Sequence, residues 1–146
     1  MKNRFTLINS LAILLIALLF ASCNKQDNRT DDEIIQDYLS DNNLSATKLP
    51  SGVYYLIEEE GNGEFPNGSS NLFVFYKGYD TGGNVFDERK ESEGVPMVSK
   101  LSGLILGWQY ALPYFDKGSR GKIFIPAELA YNEKVLIFDI YLYNFN

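Results

Sequence analysis

The chain of 146 residues suits one domain, carries a formal net charge of −6, and contains no histidine and a single cysteine. These facts exclude Ser-His-Asp and Cys-His catalysis, His-ligated metal sites and an internal disulfide, and they argue against a nucleic-acid or anionic-membrane surface. Ten Tyr and ten Phe are a heavy aromatic load, most of it for core and cross-strand packing and a minority for lining a pocket.

Lys2 and Arg4 precede an apolar run over residues 11–20, which ends at Ala21-Ser22-Cys23. A basic start, about ten apolar residues and small residues at the end describe a secretory signal peptide; the run is too short to cross a bilayer. Phe20-Ala21-Ser22-Cys23 resembles a bacterial lipobox, with Phe20 where leucine is usual. That resemblance implies cleavage before Cys23, lipidation of Cys23 and attachment to a membrane through that lipid, with enough acyl chains for stable anchoring. Asn24 beside it is compatible with sorting to the outer membrane. Residues 24–30 (NKQDNRT) are polar and read as a tether reaching at most ~25 Å. The expected division is therefore 1–22 signal peptide, 23–30 tether, 31–50 helix and connection, and 51–146 folded domain.

Residues 30–43 form the first expected helix. Thr30 and Glu33 make a capping box, Asp31 and Asp32 occupy the first turn, and Ile34, Ile35, Tyr38 and Leu39 make a one-sided stripe. A strand is expected at 53–59. Residues 72–79 alternate, with Leu72, Val74 and Tyr76 on one face and Phe73, Phe75 and Lys77 on the other. Thr81-Gly82-Gly83-Asn84 is a turn, and 84–87 starts the returning strand. In the stretch PMVSKLSGLILGW (96–108), Ser102 is a candidate N-cap for a short helix. Trp108, Ala111, Leu112 and Phe115 give its apolar stripe at i, i+3, i+4 and i+7. Pro113 limits that helix to about two turns, and Gly118 follows as a stop signal. Alternating residues 121–125 and aromatic, β-branched residues 135–145 supply the last strands. The class is α+β: about five antiparallel strands against one short helix, plus the N-terminal helix.

Six ordered pieces resemble the FKBP-type peptidyl-prolyl isomerases: Val74-Phe75-Tyr76-Lys77-Gly78, Asn84-Val85-Phe86-Asp87, Leu104-Ile105-Leu106-Gly107-Trp108, Lys117-Gly118-Ser119-Arg120, Ile125-Pro126-Ala127-Glu128-Leu129-Ala130-Tyr131, and Leu136-Ile137-Phe138-Asp139-Ile140. The resemblance runs from about Gly52 to Tyr143. It implies a twisted antiparallel sheet curled around the short helix, and a bacterial, cell-envelope isomerase acting on proline-containing polypeptides with no cofactor and no metal. It implies Tyr76, Asp87 and Tyr131 as catalytic residues and Phe86, Met97, Leu104, Ile105, Trp108 and Phe138 as the substrate-binding surface. Trp108 lies beneath the proline ring, the Ile105 N–H holds a substrate carbonyl, and Met97 replaces a pocket phenylalanine. From the residues alone, Asp87 has the second option of pairing with Arg89 or Lys90 at the surface.

The resemblance breaks after Tyr131. The family places a long loop there that overhangs the pocket, whereas only Asn132-Glu133-Lys134-Val135 precede Leu136 here, a tight connection of hairpin length. A missing roof leaves the pocket shallower and wetter. Two functions stay open: a working isomerase, or a catalytically weak module that binds peptides or a partner protein in the same groove.

Overall fold

The computed structural model describes residues 28–146, so the expected signal peptide, Cys23 and most of the tether lie outside the described residues. Helix α1 (Asp31–Asp41) begins where the sequence places it. The Glu33 N–H donates to the Thr30 hydroxyl, and the Thr30 N–H donates to the Glu33 carboxylate at 2.7 Å. This reciprocal cap satisfies backbone donors that the first turn leaves open. Ile35 and Leu39 are buried with Tyr54, Tyr79, Phe124 and Ile137, so α1 lies on one face of the sheet.

The sheet has seven antiparallel strands rather than about five: β1 (Thr47–Lys48), β2 (Tyr54–Glu59), β3 (Asn71–Asp80), β4 (Val85–Arg89), β5 (Met97–Lys100), β6 (Arg120–Ile125) and β7 (Leu136–Phe145). Their order is β1-β2-β6-β7-β3-β4, and β5 pairs with the first half of β3 while β4 pairs with the second. The two strands that the sequence did not reveal, β1 and β5, are two and four residues long. β1 is too short to display a period of two, and β5, whose burial does alternate, is at the lower limit for reading one from sequence. The face opposite α1 carries the larger core, with Val74 of β3, Ile123 and Ile125 of β6, and Phe138, Ile140 and Leu142 of β7.

Helix α2 (Leu106–Ala111) closes that core, and Trp108, Ala111, Leu112 and Phe115 are all buried, as their spacing requires. Ser102 does not cap it. Leu101–Gly103 form a 3-10 turn, Leu104 and Ile105 are extended, and Ile105 occupies the N-cap position with no side-chain bond. Ser102 stands too far ahead of the first helical amides to accept from them. The helix stops at Ala111, and Pro113 falls in a following 3-10 turn, Leu112–Tyr114, where its missing N–H is not needed. Gly107 makes the docking possible, because a Cβ there would sit 2.3 Å from Ile125 Cγ2.

The segment after β6 also differs from the expected tight turn. Ile125 pairs with Leu136, so the hairpin loop comprises residues 126–135, and Tyr131 sits inside it rather than at a strand end. Asn132 adopts φ +61°, the left-handed conformation that asparagine tolerates.

Candidate active site

The site is built on β3. Leu72, Val74 and Tyr76 turn toward α2, and by alternation the next position on that face is Gly78. Gly78 pairs with Asp87 of β4, but Tyr79 pairs with Val85, which leaves Phe86 as the extra residue of a β-bulge. A bulge re-aims the side chains around it. Phe86 and Asp87, neighbours that a regular strand would send to opposite faces, are therefore both brought to one side, where Asp87 meets the Tyr76 hydroxyl and Phe86 meets the Phe138 ring. Gly78 makes room for this arrangement. A Cβ there would lie 2.7 Å from Phe86 Cζ and 2.8 Å from Phe138 Cε1. In the sequence Gly78 shows only as the last residue of the first family piece and as a glycine inside an alternating strand, neither of which reveals the two rings it admits.

The Tyr76 hydroxyl donates to Asp87 Oδ2 at 2.6 Å, which replaces the surface pairing with Arg89 or Lys90; Lys90 pairs with Glu88 instead. Burial pushes the Tyr76 phenol up to about 12, and the bond to Asp87 adds to the shift. The phenol therefore keeps its proton at neutral pH and stays a donor.

Trp108, 3% exposed, lies below. It meets Tyr76 and Phe138 edge-to-face, with centroids 5.3 and 5.1 Å apart, and Phe86 stands edge-on to Phe138 at 5.7 Å. Tyr76, Asp87, Met97, Leu104, Ile105, Trp108, Tyr131 and Phe138 line one cavity of about 180 Å³. Of the nine expected site residues, only Phe86 is outside that lining. It forms a partition with Tyr131, 6.4 Å away, toward a neighbouring hollow of about 280 Å³ that also touches Glu133, Lys134 and Leu136. A larger groove of about 370 Å³ opens on the other face of the sheet. Several of its charges are already paired, Lys122 to Asp139 at 2.6 Å and Arg120 to Glu91 at 2.8 Å, and it gathers only Tyr76 of the expected site residues, so volume does not identify the site.

Among the described residues, the Ile105 N–H finds no acceptor within the chain. Gln109, which the sequence reading did not single out, donates its side-chain amide to the Leu104 carbonyl at 2.6 Å and pins the extended pair before α2. Trp108 Nε1 is likewise buried without a partner. The result is an apolar cleft with a tyrosine hydroxyl, a carboxylate and an open backbone donor at its rim. Among the described residues, no group of His, Cys, Asp and Glu is placed to hold a metal ion.

A sequence model of the FKBP-type peptidyl-prolyl cis-trans isomerase family matches residues 62–142, and the chain belongs to that family. It is 38% identical over 104 residues to the FKBP-type peptidyl-prolyl cis-trans isomerase FkpA of Buchnera aphidicola, covering 65% of this chain and 43% of that protein. It is 39% identical over 98 residues to the outer membrane protein MIP of Legionella longbeachae, covering 62% and 42%. The chain thus matches less than half the length of these relatives. The crystal structure of FkpA from Escherichia coli superposes with a TM-score of 0.71 at 24% identity, covering 100% of this chain and 74% of that one. At that identity the superposition establishes the fold.

Proposed function

We propose that this protein is a peptidyl-prolyl cis-trans isomerase that assists the folding of exported proteins in a bacterial cell envelope. One observation carries the reading: Tyr76, Asp87, Trp108, Tyr131 and Phe138 converge with Met97, Leu104 and Ile105 on a single apolar cavity. Rotation about an X–Pro bond faces a barrier of about 18–20 kcal/mol because the planar amide is resonance-stabilised. Twisting the amide removes that resonance and reduces the charge separation between its oxygen and nitrogen. A cleft of aromatic walls that excludes water therefore favours the twisted form over the planar one. In this mechanism Trp108 and Phe138 receive the proline ring, and the open Ile105 N–H holds a substrate carbonyl. Asp87, itself held by Tyr76, and Tyr131 address the rotating amide from the rim. No proton is transferred and no covalent intermediate forms, so the absence of histidine costs nothing.

The direct test is two-dimensional NMR exchange on a proline tetrapeptide with the purified full-length chain. Exchange cross-peaks enhanced well above those of the peptide alone support catalysis. Peptide binding without such enhancement would instead favour the second reading, a binding module with weak catalysis. The observation behind that alternative is the open roof: Phe86 and Tyr131 are 46% and 58% exposed. The proposal also includes cleavage before Cys23 and anchoring through its lipid, supported by the lipobox-like Phe20-Ala21-Ser22-Cys23. Labelling with a radioactive fatty acid, lost in Cys23→Ser, tests it. Placement at the outer membrane is supported by Asn24 and by the likeness to the Legionella outer membrane protein.

A further inference from the structure

Residues 126–135 carry Tyr131 between β6 and β7, and two carboxylates from other elements hold this loop. Near its start, Asp31 of α1 accepts from the Ala127 N–H at 2.8 Å. Near its far end, the Lys134 ammonium donates to Asp80 Oδ2, at the end of β3, at 2.8 Å. Asp80 is 8% exposed, and its other oxygen accepts from the Gly82 and Asn84 N–H groups at 3.0 and 2.9 Å. The carboxylate that holds Lys134 thus also closes the β3–β4 turn, on the hairpin that presents Phe86 and Asp87.

Between the two holds the loop folds back on itself. The Asn132 N–H, next to Tyr131, donates to the Ala127 carbonyl at 2.8 Å. Tyr131 itself has little to fix it: among the described residues its side chain makes no hydrogen bond, and its ring meets Phe86 edge-on. Where Tyr131 stands is therefore decided by its backbone, and its backbone by the two ends of the loop. A surface ion pair would do this poorly. The Lys134 side chain is 55% exposed, but Asp80 is buried and already oriented by amides, so the lysine meets a fixed acceptor through a charge-assisted bond. The Lys134 ammonium and the Asn84 amide hold the Asp80 carboxyl well below the usual carboxylate range.

We propose that Asp31 and Asp80 are positioning residues: by pinning both ends of residues 126–135 they set Tyr131 against Phe86 at the mouth of the pocket. The kinetic consequence rests on the isomerase reading; the structural one does not. Restricting a short loop at both ends removes conformations that would otherwise carry the tyrosine away from the substrate.

The test uses the full-length chain with Asp31→Ala, Lys134→Met, both together, and Lys134→Arg. Ring-to-ring NMR cross-relaxation between Tyr131 and Phe86 reports the placement. Isomerase kcat and KM report its effect, and the melting temperature reports the fold. The double variant is expected to lose the ring contact and about tenfold in kcat/KM, mainly through KM, while Lys134→Arg retains both. A ring contact that persists in the double variant would overturn the proposal. So would an arginine variant that behaves like methionine, or a melting temperature that falls in step with kcat/KM across the series. A wild-type chain without isomerase activity whose double variant still loses the contact would sink the isomerase reading and uphold the clamp.

Discussion

Tyr76 and Asp87 show how far a single side chain can be read. The polar tip on an apolar strand face needed a partner, and the structure supplies Asp87 at 2.6 Å. Tyr76→Phe together with Asp87→Ala should lower kcat/KM by tenfold or more while shifting unfolding free energy by about 1 kcal/mol, since the bond lies at an exposed rim. Activity and melting temperature falling in proportion would assign the pair to stability instead. Tyr76 also gives a pH signature. Its folded pKa, pushed up to about 12, is higher than that of a free phenol at about 10, so folding favours the protonated form. That contribution is complete below about pH 10 and is lost as the pH rises toward 12. Urea midpoints of the wild type should fall through this window more steeply than those of Tyr76→Phe; parallel curves would contradict the shift.

The elements decide where those side chains go. The bulge at Phe86 and the glycine facing it work as one device, since a second ring enters only where Gly78 has no Cβ. Gly78→Ala is expected to cost about 1–3 kcal/mol by overpacking. It should also weaken peptide binding by displacing Phe86 or Phe138, which a fluorescence titration would register. An alanine variant with unchanged stability and affinity would show that the two rings yield freely. In α1, Thr30→Ala removes the N-cap and should lower stability by about 1 kcal/mol, read as the urea midpoint. The capping box of α1 was legible because it is a local pattern. The start of α2 was not, because a 3-10 turn and two extended residues displace its N-terminus beyond Ser102.

For the molecule as a whole, the sheet divides two cores, one beneath α2 that floors the pocket and one beneath α1 that braces the sheet from behind. The mechanism asks for a dry, shaped cleft and no titrating acid or base. With no histidine in the chain and Tyr76 protonated, kcat/KM should stay level within about twofold between roughly pH 6 and 9. A bell-shaped profile in that range would show a proton transfer that the proposed mechanism lacks.

The sequence alone was sufficient for the features whose causes are local or periodic. These are the cap of α1, the alternation of β3, the stripe from Trp108 to Phe115, and the ordered family pieces that pointed to the pocket residues. Tertiary structure decided the rest, because it depends on contacts between residues distant along the chain. β1 and β5 exist only by pairing with β2 and β3. The bulge that turns Phe86 and Asp87 to one side is a matter of register with β3. The loop that carries Tyr131 is bonded at Ala127 to Asp31 and at Lys134 to Asp80, which lie in other elements and are joined to it only by folding. Periodicity along a strand tells which face a residue takes; which partner waits there is known only once the sheet has closed.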